Sequence, residues 1–174
     1  DVKGRPLRPA IIWADNRLID KPRPMILPYT TGTAAIGMLP TINILSRQCK
    51  AHWIQDHEPE IWKQTYKYLL ISGYLNLRLT GKFADSVASQ IGHIPLNYKQ
   101  FKWEGKWGLK RQIFQVEEEK CCDLVAPGEI IVKLTKEAAA ATGLPVGIPV
   151  IASGSDKGCE TIGVWCVDDT VASI

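Results

Sequence analysis

Two short segments set a carboxylate beside a cation where catalysis or binding would use both: Asp15-Asn16-Arg17 and Ser155-Asp156-Lys157. Asp156 follows the apolar run Pro149-Val150-Ile151-Ala152 and the small turn Ser153-Gly154-Ser155. Open α/β sheets place their ligands just past the carboxyl ends of strands, on turns of this kind. The same position suits a helix N-cap that accepts backbone N–H bonds, and the local pattern leaves both roles open. Asp15 and Arg17 follow a second apolar run, Ala10-Ile11-Ile12-Trp13. A carboxylate accepts bonds from sugar hydroxyls, and a guanidinium forks onto hydroxyls or a carboxylate. The alternative is a turn whose aspartate caps the backbone and pairs with Arg17. Lys157 has three destinations open to it: Asp156, Glu160 or a substrate.

Other reactive types are less organised. His52, His57 and His93 share no metal-ligand spacing with one another or with a cysteine. The cysteines, Cys49, Cys121, Cys122, Cys159 and Cys166, form no Cys-x-x-Cys pair, so neither a zinc ribbon nor a thioredoxin-like motif is expected, and no metal site is assigned. His52 falls beside Trp53 on an expected helix and reads as a structural histidine. The vicinal Cys121-Cys122 lacks a neighbouring base to activate it.

The elements that must position these residues follow from pattern and punctuation. Ala10–Trp13 reads as a brief buried strand running into a polar turn. Residues 21–40 hold four prolines and two glycines and read as mostly loop. Ile42, Leu45, Cys49 and Trp53 recur at helical spacing. Glu58-Pro59-Glu60 restarts the chain into a second helix with Trp62, Tyr66 and Leu69 on its apolar stripe. Tyr74–Leu79 is a further apolar segment closed by Thr80-Gly81. Residues 94–108 read as loop, with Tyr98, Phe101, Trp103 and Trp107 either anchored to the core or free to stack on a ligand. A short helix is expected near Leu109–Phe114, and a turn at Pro127-Gly128-Glu129. Thr135 caps an alanine-rich helix, Lys136–Thr142, stopped by Gly143. A buried strand at Pro149–Ala152 then leads into a helix from Lys157. Strand and helix alternate, so the class is α/β.

At 174 residues the chain suits one domain with a real core. Its net charge is only +3, with no run of Lys and Arg to concentrate it, so nucleic acid is not an expected partner. No apolar stretch approaches the ~20 residues of a membrane span. The opening Asp1-Val2-Lys3-Gly4-Arg5-Pro6 has neither a signal-peptide pattern nor an initiator Met. Reduced thiols and a cytoplasmic location are the matching expectation. The sequence leaves a homo-oligomer open.

In order along the chain, these pieces resemble the first domain of the FGGY carbohydrate kinases, the family of glycerol, xylulose and ribulose kinases. Ile12-Trp13-Ala14-Asp15-Asn16-Arg17 is similar to the family's Trp-x-Asp-x-Arg segment. Cys49–Gln55 and Glu58–Trp62 resemble its lysine–tryptophan helix and proline restart. Leu77-Arg78-Leu79-Thr80-Gly81 matches its Arg-Leu-Thr-Gly closure, with Asp85 and Ser89 at the usual distance after it. Leu134-Thr135, Ala138-Ala139, Thr142-Gly143-Leu144 and Gly147-Ile148-Pro149-Val150 lead to Gly154-Ser155-Asp156. Two departures stand out: Ala51 after Lys50, where the family prefers a larger apolar residue, and Lys157-Gly158-Cys159-Glu160 after the aspartate.

The resemblance implies a ribonuclease-H-like, actin-like fold and an enzyme that phosphorylates a sugar or polyol hydroxyl with ATP and Mg²⁺. It makes Asp156 the catalytic base and Asp15 and Arg17 sugar contacts, with Lys157 placed to reach substrate. The family's Asp-x-Gly-Thr-Thr phosphate loop and the glycine-rich loop of its second domain do not occur in these residues. The chain is therefore expected to be a partial N-terminal domain, 1–174, that lacks that phosphate loop and the whole C-terminal ATP domain, which should begin near Val171-Ala172-Ser173-Ile174. A non-catalytic sugar-binding or regulatory module is the rival reading, and an actin-like structural protein a third. Flanking sequence separates the first two; concentration-dependent light scattering identifies the third.

Overall fold

Residues 1–172 are described by a computed structural model, so the junction expected at Val171–Ile174 lies partly outside the described residues. In chain order the elements are α1 (Leu27–Ala35), α2 (Leu39–Gln48), α3 (Lys50–His57), α4 (Pro59–Gln64), α5 (Ile71–Thr80), β1 (Ala84–Ser86), β2 (Leu96–Asn97), β3 (Lys102–Trp103), α6 (Leu109–Ile113), β4 (Asp123–Val125), β5 (Ile130–Lys133), α7 (Lys136–Thr142), β6 (Pro149–Ile151) and α8 (Asp156–Gly163). They sort into two compact units with interleaved segments: Asp1–Leu69 with Gly92–Cys122, and Leu70–Ile91 with the chain from Asp123 onward.

The first unit is mainly helical. Its core gathers Ile42 from α2, Cys49, Ala51 and Ile54 around α3, Trp62 from α4, and Ile113, Phe114, Val116 and Cys121. The single helix expected across Ile42–Trp53 is two: Cys49 takes an extended conformation, φ −64° and ψ 114°, and ends α2 before α3 starts. The residue is fully buried there. The periodicity survives because both helices pack on one core, although the backbone does not run through. Prolines in residues 21–40 mislead in the opposite sense. Pro28 and Pro40 sit in the first turns of α1 and α2, where a missing N–H costs nothing, so this stretch is largely helix rather than loop. Pro59 plays the same part in α4, as expected, but the helix ends at Gln64, short of Tyr66 and Leu69.

No strand forms at Ala10–Trp13. Asp15 N–H donates to Ile12 O at 3.1 Å, closing a turn, and Trp13 is 97% exposed. An apolar run becomes a strand only when a second strand takes up its N–H and C=O groups, and none pairs with it among the described residues. The stretch expected as loop at 94–108 carries an antiparallel hairpin pairing Leu96 with Trp103 and Asn97 with Lys102. Trp103 is anchored, donating Nε1–H to Cys122 O at 2.7 Å, and the Tyr98 ring lies under Lys110 Nζ at 3.6 Å; Phe101 and Trp107 are exposed.

The second unit holds the other strands. β1 and β4 run parallel, with Ala84 opposite Asp123 and Ser86 opposite Val125. β5 and β6 run antiparallel, with Val132 opposite Val150. α5 lies against β1, β5, β6 and α7. Thr135 Oγ1 accepts from Ala138 N–H at 3.2 Å, and Gly143 ends α7 in the left-handed conformation at φ +75°, which glycine adopts without the Cβ clash. Leu134, Ala138 and Ala139 form a small core with Leu79, Ile148 and Val150. β6 follows as expected but is not buried: Pro149 and Ile151 are exposed and Val150 is half-buried. No helix among the described residues is long and apolar enough to cross a membrane.

Candidate functional site

Asp156 opens α8 immediately beyond β6. The capping role that its position allowed belongs to its neighbour. Ser155 is extended, φ −78° and ψ 153°, and its Oγ accepts from Gly158 N–H at 3.1 Å. Asp156 is the first residue inside the helix, where a negative charge is favoured by the helix dipole. Its Oδ1 accepts from Lys157 N–H at 2.7 Å, while Oδ2 takes no hydrogen bond among the described residues. The side chain is exposed. Lys157 turns to Glu160, Nζ to Oε2 at 2.6 Å, and that bond holds its ammonium above the usual lysine range. Both partners are exposed, so the pair adds little stability.

The turn entering α8 has fixed points on each side. Ala152 N–H donates to Glu129 O and Ala152 O accepts from Gly128 N–H, each at 2.8 Å, which closes the β5–β6 hairpin. One residue later, Ser153 O accepts from Ser86 Oγ at 2.5 Å, a contact that reaches across to the end of β1. Asp85, next to Ser86, is 1% exposed. Its carboxylate accepts from Ser72 Oγ at 2.5 Å, Asn76 Nδ2 at 2.9 Å, Gln90 Nε2 at 2.5 Å and Ser86 N–H at 2.8 Å. Burial pushes its carboxyl up in spite of those donors. The resemblance marked Asp85 only as a spacing; its network has no local sequence signal, because Ser72 and Asn76 come from α5.

In the first unit, Asp15 and Arg17 are brought together. Arg17 Nε lies 2.8 Å from both Asp15 oxygens, and Arg17 N–H donates to Oδ1 at 2.9 Å. The Arg17 side-chain bond, then its backbone N–H, holds the Asp15 carboxyl below the usual carboxylate range. This is the local pair weighed as the alternative to sugar binding. Two residues of α3 complete it. Lys50 Nζ donates to the carbonyls of Asp15 and Arg17 at 2.8 and 2.9 Å, and the Trp53 ring lies beneath the Arg17 guanidinium at 4.2 Å. Trp53 stacks in turn on His57 at 4.5 Å. The Nη atoms of Arg17 take no hydrogen bond among the described residues, and the side chain keeps 31% of its surface. Asp15 and Arg17 were expected just past the end of a strand, as Asp156 is. No strand forms at 10–13, and the two pairs fall in different units.

Among the described residues no three His, Cys, Asp or Glu side chains converge as a metal site. Mg²⁺ carried by a nucleotide needs only one or two carboxylates beside the phosphates, but one exposed aspartate is not a cage.

The profile of the FGGY family of carbohydrate kinases, N-terminal domain, matches residues 1–163. Xylulose kinase of Escherichia coli K12 is 31% identical over 174 residues, all of this chain and 35% of that protein. L-fuculokinase of the same strain is 33% identical over 170 residues, covering 90% of this chain and 32% of that protein. The crystal structure of Plasmodium falciparum glycerol kinase with ADP superposes on 96% of this chain and 33% of that one, with a TM-score of 0.67 at 17% identity. The fold is thus the ribonuclease-H-like, actin-like α/β fold of the sugar kinases. The chain spans about a third of the length of these curated relatives.

Proposed function

Since this chain belongs to the FGGY family of carbohydrate kinases, we propose that it supplies the sugar- or polyol-binding part and the general base of an ATP-dependent kinase. The observation that carries this reading is the division of labour at α8. Ser155 caps the helix, so the Asp156 carboxylate just past β6 is exposed with Oδ2 uncommitted. An aspartate serving as the cap would instead be turned back onto the first N–H groups of the helix.

In this reading the substrate hydroxyl stands against Asp156. As its oxygen bonds to the γ-phosphorus of ATP and the bond to the bridging oxygen breaks, the proton passes to the carboxylate and ADP leaves. A carboxylate is a weak base, but the hydroxyl becomes acidic only as the new P–O bond forms, so the match improves in the transition state. Mg²⁺ bound with the nucleotide would supply charge neutralisation at the phosphate oxygens. Asp15 and Arg17 contact the sugar, with Arg17 held by Asp15 and Trp53 so that its Nη atoms point onward pre-ordered. Lys157, tied to Glu160, keeps its charge near Asp156.

The test is Asp156→Asn in the parent enzyme. General-base loss is worth roughly 10²–10⁴-fold, so kcat should fall by that order while folding and ATP binding persist. Turnover close to wild type would return Asp156 to a purely helical role.

A further inference from the structure

We propose that Ser86 is a positioning residue for Asp156: its hydroxyl ties the Ser153 carbonyl to the end of β1 and so fixes where the turn carrying Asp156 leaves the β5–β6 hairpin. The inference rests on the reading of Asp156 as the general base.

The hairpin's own backbone bonding stops at Ala152, whose N–H and C=O are both paired to the Gly128-Glu129 turn. Helical bonding begins with the Ser155 cap. Ser153 and Gly154 lie between, and glycine resists displacement least of all residues. Two side chains hold this gap. Cys159 Sγ lies so close to Gly154 that a Cβ there would meet it at 3.0 Å, which limits motion toward α8 but belongs to α8 itself. Among the described residues, the hydrogen bond that joins the gap to another element is Ser86 Oγ to Ser153 O, at 2.5 Å.

That element is well anchored. Ser86 is 1% exposed at the last position of β1, paired with Val125 of β4. Its Oγ accepts from Ala88 N–H at 3.2 Å while donating to Ser153. A carbonyl can only accept, so the hydroxyl proton must point at Ser153 and the rotor is set. Beside it, the Asp85 carboxylate gathers Ser86 N–H together with Ser72 and Asn76 of α5. The chain of contacts runs from α5 through Asp85 and Ser86 to Ser153, three residues before Asp156. Without the Ser86 hydroxyl, the hydrogen bonds on the turn among the described residues are those of the hairpin it leaves and the helix it enters. Misplacing a reacting group by about 1 Å can cost ~10²-fold in rate, so a tether of this kind acts on turnover more than on binding.

The experiment uses the parent kinase with Ser86→Ala, Ser86→Thr, Asp156→Asn and the Ser86→Ala/Asp156→Asn double variant. Each is assayed for kcat, both KM values and thermal midpoint. Ser86→Ala should lower kcat roughly 10- to 100-fold with both KM values little changed, and Ser86→Thr, which keeps the hydroxyl, should recover most of it. In the Asp156→Asn background Ser86→Ala should cost almost nothing more, because a base that is absent cannot be misplaced. Undiminished kcat in Ser86→Ala, or losses that multiply in full in the double variant, would overturn the proposal while leaving Asp156 as base. The proposal also falls if Ser86→Ala and Ser86→Thr are both unfolded at the assay temperature, since the residue is then a core element. A silent Asp156→Asn removes the underlying reading instead, and the Ser86 proposal with it.

Discussion

Arg17 is held from three directions: Asp15 against its Nε, the Trp53 ring beneath its plane, and Lys50 clamping the carbonyls on either side of Asn16. Such packing fixes a guanidinium before any ligand arrives, and a pre-ordered donor loses less entropy on binding. If its Nη atoms then meet sugar hydroxyls, Arg17→Ala in the parent enzyme should raise the sugar KM by roughly 10- to 100-fold, the worth of hydrogen bonds to a charged group. The KM for ATP should stay put. A local ion pair with no ligand predicts instead ~0–1 kcal/mol of stability lost and both KM values unmoved. Steady-state kinetics with each substrate varied in turn decides between them. The Asp15–Arg17 pair and Glu160 as a destination of Lys157 stood among the alternatives the sequence offered, but the α3 partners of Arg17 did not. Trp53 and Lys50 meet Arg17 only because α3 packs beside the turn at Asp15. At the other site, Ser155 and Asp156 are equally good caps by type; which one serves depends on a one-residue choice of where α8 starts.

His52 shows how an element can be locked by a single side chain. It sits in α3, is fully buried, places Nδ1 2.9 Å from Ser46 O of α2 and takes Gln115 N–H on Nε2 at 3.0 Å. A carbonyl requires Nδ1 to donate and an N–H requires Nε2 to accept, so only the neutral ring satisfies both. Burial accordingly lowers its pKa from 6.5 to about 4. The sign follows directly. Above pH 6.5 the ring is neutral folded or unfolded and costs nothing; between 6.5 and 4 only the unfolded chain takes the proton, so stability falls as pH falls. The loss should approach 1.4 kcal/mol per pH unit and reach roughly 3 kcal/mol near pH 4. Urea unfolding at pH 7.5, 6 and 5 should show that slope, and a His52→Gln variant should flatten it; equal slopes would put the acid sensitivity elsewhere. At this scale the sequence was legible where caps fix the ends of an element, and misleading at the prolines of residues 21–40. Thr135 and Gly143 bracket α7 because cap chemistry needs only near neighbours. It was least legible for strands, whose partners are distant: β1 is three residues long and pairs with a segment beginning at Asp123. Ala10–Trp13 had the composition of a strand and no partner.

The relatives that this chain matches are about three times as long, and phosphoryl transfer needs a cradle for the nucleotide. The sequence holds neither an Asp-x-Gly-Thr-Thr loop nor a second glycine-rich phosphate loop. No cluster of three metal-ligating side chains forms among the described residues. Backbone N–H groups of such loops and the Mg²⁺ they help hold do most of the work of binding ATP phosphates. What the chain does carry is the base candidate in one unit and the Arg17 pair in the other. The 174-residue chain by itself should therefore show no phosphoryl transfer from ATP to any pentose, hexose or glycerol, and no micromolar ATP site by calorimetry. Each half of that prediction has its own consequence. Micromolar ATP binding by the isolated chain would locate a phosphate cradle within these residues and would remove the reason for assigning nucleotide binding elsewhere. Turnover without those parts would go further, because Asp156 and the Arg17 pair would then have to bind, align and react both substrates unaided.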